Sequence, residues 1–100
     1  MLSHVVIFWT HPENPVAASQ LLAGIEQYLR PIPGTLFFHC GHMSPSHRPV
    51  VEQSYQIALN IIFPSKESEK AYQVHPLHLE FLEKVFKPLC LKATVYDFLS

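Results

Sequence analysis

"SHVVIFW", residues 3–9, is apolar on both of its alternating sets, and this constrains how the rest of the chain folds. Successive side chains of a strand point to opposite faces, so His4, Val6 and Phe8 lie on one side and Val5, Ile7 and Trp9 on the other. A strand with one wet face would alternate apolar with polar residues. This one needs cover on both faces.

Working outward, "HPENP" is a turn, and Asn14-Pro15 is a helix start, with Asn as cap and Pro at the first helical position. Ala18, Leu22, Ile25 and Leu29 follow at helical spacing, and "RPIPG" stops the helix. "TLFFHCGH" (35–42) reads as a second strand and "MSPSHRPVVEQ" as a polar loop. "YQIALNIIF" (55–63) is a third strand, with Tyr55, Ile57, Leu59, Ile61 and Phe63 on one face. Ser65 caps a short helix through Tyr72, aided by Glu67 and Glu69 near its positive end. The run then breaks at His75-Pro76, where His75 serves as cap and Pro76 opens a second helical piece. That piece carries Leu79, Leu82 and Phe86 in register and ends at Lys87-Pro88, before a last strand, "LKATVYDFL" (91–99).

The order is β-α-β-β-α-β over residues 1–100, one domain of α+β class. It is the ferredoxin-like pattern, an antiparallel sheet with its helices on one face. The helices leave the other sheet face bare, and the same face of a second copy is the simplest cover, so a homodimer is expected. A pocket role for His4 would assign Val6 and Phe8 to the inner face between the two copies. A charge at Val6 is then expected to part them.

Composition narrows the partners. The 100 residues are 48% hydrophobic and 15% charged, the balance of a folded chain. Seven Lys and Arg against eight Asp and Glu give a net charge of −1, with no basic cluster to track phosphates, so nucleic acid is not expected. No apolar stretch approaches a bilayer span, and the N-terminus lacks a signal peptide's charged region, so no membrane partner is expected and the cytoplasm is the expected location. Cys40 and Cys90 belong to no CxxC pair and read as buried thiols.

Tyr72 and His78 stand six residues apart across the proline break, too far to be neighbours on an unbroken helix. A kink would let both point into one cavity. A neutral phenol and a titrating imidazole could then act as oxyanion-stabilising acid and general base. By spacing alone, the plainer reading is a core tyrosine beside an exposed helix histidine. His4 is the single polar group on an apolar strand face, read as a pocket residue or as a hydrogen-bonded strand-end histidine. His39 and His42 point to opposite strand faces and His47 lies in a loop, so no metal site is expected. The three glycines form no phosphate-binding motif, and no cofactor is expected.

Taken together, "SHVVIFW", "IPG" after the first helix, and above all "AYQVHPLHLEF" (71–81) resemble the stress-responsive A/B barrel domain (Dabb) family across residues 2–99. The resemblance implies a ferredoxin-like subunit that pairs sheet to sheet into a dimeric α+β barrel. It extends to olivetolic acid cyclase-like polyketide cyclases, whose working residues fall here on His4, Tyr72 and His78. A pocket histidine of that cyclase falls at Ile57, which implies a greasier cavity lined by Phe8, Ile57 and Leu59. The implied activity is acid–base chemistry, aldol cyclisation or enolisation, on a small apolar carbonyl ligand. The competing readings are a non-enzymatic stress-associated dimer and, by fold analogy alone, a cofactor-free or haem-handling monooxygenase.

Overall fold

Burial alternates strictly along the first strand, β1 (Leu2–Thr10), in a computed structural model that describes residues 1–100. Leu2, His4, Val6, Phe8 and Thr10 are buried, while Ser3, Val5, Ile7 and Trp9 are half-buried. The other strands are β2 (Phe37–His42), β3 (Ile57–Phe63) and β4 (Cys90–Leu99). They form one antiparallel sheet in the order β2-β3-β1-β4. This is the ferredoxin-like arrangement, with β1 pairing β3 and β4 on its two sides.

One layer of helices covers one face. Helix α1 (Ala17–Gly24) runs on as a π-helical turn, Ile25–Leu29. Helix α2 (Lys66–Gln73) is followed by α3 (Pro76–Phe81), which continues through a π turn, Leu82–Phe86, and a final α turn, Lys87–Leu89. Beneath them Leu21, Ile25, Leu29, Ile57, Leu59, Ile61, Phe63 and Tyr72 are almost wholly shielded from solvent.

The local chemistry explains the boundaries. The Ser68 N–H donates to Ser65 Oγ at 3.2 Å, which caps α2. Asn14 caps the turn that enters α1, its Oδ1 accepting from the Val16 N–H at 3.1 Å, and regular helix begins three residues later, at Ala17. Lys87-Pro88 does not end the second helix as expected. The Lys87 N–H reaches back to the Leu82 carbonyl in π register, and helical backbone carries the proline to Leu89.

Two expectations are corrected here. Val6 and Phe8 do not face a second copy; they lie under the helices with His4, so the bare face belongs to Val5, Ile7 and Trp9. Partners directly opposite in an antiparallel pair share a face, which adds Phe37 and Ile62 beside Ser3, and Tyr96 and Phe98 on β4. Nor do Leu79, Leu82 and Phe86 form the buried stripe of the last helix. Leu79 is exposed, and His78, Phe81 and Val85 point inward instead. The break at Pro76 resets the rotation of α3 about its axis.

Candidate functional site

Between the helix layer and the sheet lies a cavity of about 220 Å³, with ten hydrophobic residues among its thirteen lining residues. No lysine, arginine or carboxylate lines it. A charged guest would find no counter-ion there, and the expense of stripping its water would go uncompensated. The remaining three, His4, Gln73 and His78, form its polar wall together with the phenol of Tyr72, which is one of the ten.

Each of these groups is placed by the fold. His4 comes from β1, Tyr72 from the last turn of α2, and His78 from the first turn of α3. The junction between the helices is built as the sequence suggests: the Leu77 N–H donates to His75 Nδ1 at 3.1 Å, and Pro76 takes the first helical position. His75 therefore faces its own helix start, and the reset direction of α3 brings His78 to Tyr72. Their rings meet edge to face with centroids 4.8 Å apart, and His4 approaches Tyr72 at 5.9 Å.

Phe8 and Leu59 are among the residues that line the cavity, and Ile57 is not. It sits at the far end of β3, packed into the core with no exposed surface. The wall is completed instead by Phe81, which pattern reading misses, and by Phe86, which it places in the helix register but not at the cavity. Their rings stand 6.4 and 6.2 Å from that of Phe8. Residues five apart share no face of an α-helix, whereas a π turn closes five residues on. The turn Leu82–Phe86 is therefore what presents both rings to Phe8.

Asp97 is the most consequential omission. It lies on β4 directly across from His4, and its Oδ1 is 2.6 Å from His4 Nδ1. Its side chain is half exposed and stands behind His4, outside the cavity wall. The available signal was a lone acid within the apolar strand "TVYDFL".

Burial acts differently on the three wall groups. It raises the Tyr72 phenol well above its ordinary range, with help from Glu69, so the group remains a protonated donor. It lowers the His78 imidazole below its ordinary value, with His4 adding to the shift and Glu69 opposing it. His78 Nδ1 is fully buried with no hydrogen-bond partner, the single such side-chain atom in the chain. An unpaired buried polar atom costs about 1–3 kcal/mol.

Away from the cavity, Cys40 and Cys90 are both free thiols. Burial pushes each up to about 11, aided for Cys40 by the neighbouring Glu26 carboxylate, which leaves both poor nucleophiles. No three His, Cys, Asp or Glu side chains converge as metal ligands would, and no helix is long and apolar enough to cross a membrane.

This fold and cavity define a class: a ferredoxin-like α+β subunit with a pocket between helices and sheet and an uncovered opposite sheet face. The chain belongs to the stress responsive A/B barrel domain (Dabb) family, whose model matches residues 2–100. A crystal structure of an Arabidopsis thaliana protein is similar at TM-score 0.79 and 26% identity, covering 100% of this chain and 95% of that one. A dimeric ferredoxin-like protein of unknown function from Thermobifida fusca is similar at TM-score 0.79 and 18% identity, over 99% of this chain and 90% of that one. A hydroxynitrile lyase from Passiflora edulis is similar at TM-score 0.75 and 20% identity, over 99% and 92%. No curated protein matches the chain.

Proposed function

We propose that the protein is a homodimer whose subunit cavities each take a small, neutral, largely apolar carbonyl compound, and that Tyr72, His78 and His4 carry out acid–base chemistry on its polar end. The observation that carries this reading is the unpaired His78 Nδ1 in a wall where three polar rings meet, surrounded otherwise by apolar side chains. Native proteins rarely leave a buried polar atom without a role. The absence of charged lining favours a neutral guest, and the rings of Phe8, Phe81 and Phe86 favour an aromatic or aliphatic body.

The chemistry such a wall supports is removal of the proton alpha to a carbonyl, with the enolate oxygen held by the Tyr72 phenol. Aldol-type ring closure, as in olivetolic acid cyclase-like enzymes, is the finer form of this reading. That a structural neighbour is a hydroxynitrile lyase supports an enzymatic role on this fold. Dimeric neighbours and the apolar bare face support the homodimer. The two free thiols suit a reducing compartment, and we place the protein in the cytoplasm.

The test uses phenylacetone, a neutral benzyl methyl ketone, in D2O, with alpha-proton loss followed by proton NMR. Wild-type protein is expected to exceed the buffer rate, and Tyr72→Phe and His78→Ala to lower it. If wild-type protein neither accelerates exchange nor shifts its resonances on titration with the ketone, the non-enzymatic stress-associated dimer replaces this reading.

A further inference from the structure

His4 and His78 face the same cavity with opposite hydrogen-bonding characters, and this fixes which is the base. We infer that Asp97 holds His4 with its proton on Nδ1, so that His4 Nε2 is the proton-accepting atom of the cavity, while His78 serves as a donor through Nε2–H. This rests on the cavity reading above and deepens it by naming the atom that takes the proton.

The argument begins with the pair on β1 and β4. A carboxylate can only accept hydrogen bonds, so at 2.6 Å the His4 Nδ1 must donate. The remaining nitrogen, Nε2, makes no hydrogen bond and is not among the fully buried unpaired atoms, which leaves it open to the cavity that His4 lines. In the neutral ring that nitrogen is a lone pair. His78 is the reverse case. A proton on its sealed Nδ1 would be a donor with nothing to receive it, so the neutral ring carries its proton on Nε2. The Tyr72 hydroxyl supplies a second donor beside it.

The step then balances as follows. His4 Nε2 takes the alpha proton, the C–H electron pair forms the C=C bond, and the carbonyl π pair moves to oxygen. The oxyanion accepts from Tyr72 and His78, and the His4 imidazolium is held against the Asp97 carboxylate. Return of the proton to carbon completes the exchange. In ring closure the enolate carbon attacks a second carbonyl of the same molecule, and the resulting alkoxide takes the proton from the His4 imidazolium, which restores the neutral ring. Asp97 is a positioning residue, outside the cavity and on an edge strand.

Two measurements decide the assignment. Nitrogen-15 NMR of the histidine rings, at about pH 8 where ordinary imidazoles are neutral, needs no ligand. It is expected to show His4 as the Nδ1–H tautomer and His78 as Nε2–H, with the His4 preference lost in Asp97→Asn. Finding His4 as Nε2–H, or His78 as Nδ1–H, overturns the proposal. The second measurement is phenylacetone exchange in D2O. His4→Gln is expected to lose about 100-fold or fall to the buffer rate, whereas His78→Gln, which keeps an N–H donor, retains more activity than His78→Ala. Asp97→Asn is expected to slow exchange with its fold unchanged, and Asp97→Glu to restore part of the rate. Should His78→Gln abolish exchange while His4→Gln spares it, His78 is the base and the inference fails. If wild-type protein gives no exchange, the carbonyl chemistry falls, and the ring tautomers still judge whether His4 accepts and His78 donates.

Discussion

The rings of Tyr72 and His78 lie edge to face with centroids 4.8 Å apart, although six positions and a proline separate them in the chain. The contact exists because the helical path stops at Val74, turns through an extended His75, and starts again on a new axis at Pro76.

That junction is measurable by itself. His75→Ala removes the acceptor of the Leu77 N–H and is expected to cost about 0.5–2 kcal/mol. A domain of this size then melts some 4–8 °C lower for each kcal/mol lost (roughly). Pro76→Ala is expected to shift the melt less, since the histidine cap survives it. Thermal unfolding followed by circular dichroism compares the two, and equal melting temperatures for wild type and His75→Ala would remove the cap from the account.

A second expectation concerns the contact of α1 with the π turn that follows α3. A Cβ on Gly24 would sit 2.5 Å from Val85 Cγ1 and 2.9 Å from Cγ2. Gly24→Ala is therefore expected to destabilise by about 1–3 kcal/mol despite its better helix propensity. Adding Val85→Ala should recover part of that loss, and a urea double-mutant cycle measures the coupling. Strict additivity would mean that the two residues do not touch.

The lowered His78 imidazole has a consequence for acid stability. The unfolded chain protonates this ring near 6.5 and the folded chain only at lower pH, so between the two values the unfolded state binds more protons. Stability is expected to fall as pH drops through about 6.5 and to level off once the folded ring is also charged. The Glu26 carboxylate is held down to about 2, mainly by its hydrogen bond from Arg30, so its stabilising share is lost lower, as pH falls from 4.5 toward that value. Urea midpoints across this range should show the upper slope flattened in His78→Gln and the lower one unchanged. An upper slope that persists in the variant would assign it to another group.

The bare sheet face gives the expectation for assembly. Light scattering should return twice the 11.5 kDa chain mass. Ile7→Asp, on the bare face, is expected to give a folded monomer. Val6→Asp, under the helices, is expected to unfold the chain, because a buried unpaired charge costs several kcal/mol. A wild-type mass of one chain would exclude the dimer.

The fold was legible because its signals are local. Period-two alternation located β1 and β3, Ser65 and His75 marked helix starts, and the two apolar sets of β1 implied two covered faces. Alternation does not say which set meets the helices, and that is why Val6 was assigned to the wrong side. It also cannot see a pair such as His4 and Asp97, which lie 93 positions apart and meet only when β4 closes beside β1. Ile57 was misplaced for a related reason. It shares a sheet face with Leu59, but a face is longer than a cavity. Phe81 escaped notice because α-helical spacing puts it off the face that carries Leu79, Leu82 and Phe86.

The two π turns, Ile25–Leu29 and Leu82–Phe86, make the roof of the cavity adjustable in length while its floor is not. Removing one residue within 82–85 would let the backbone relax to an α-helix, in which Phe81 and Phe86 stand four apart and still share a face. Phe86 would keep its side of the helix, and the pairing of β1 with β3 would not change. A single-residue deletion, which the sheet could not absorb without flipping its faces, can be absorbed at such a turn with the flanking helix still in phase. The helix layer has a residue to spare at each π turn, and the sheet beneath it has none.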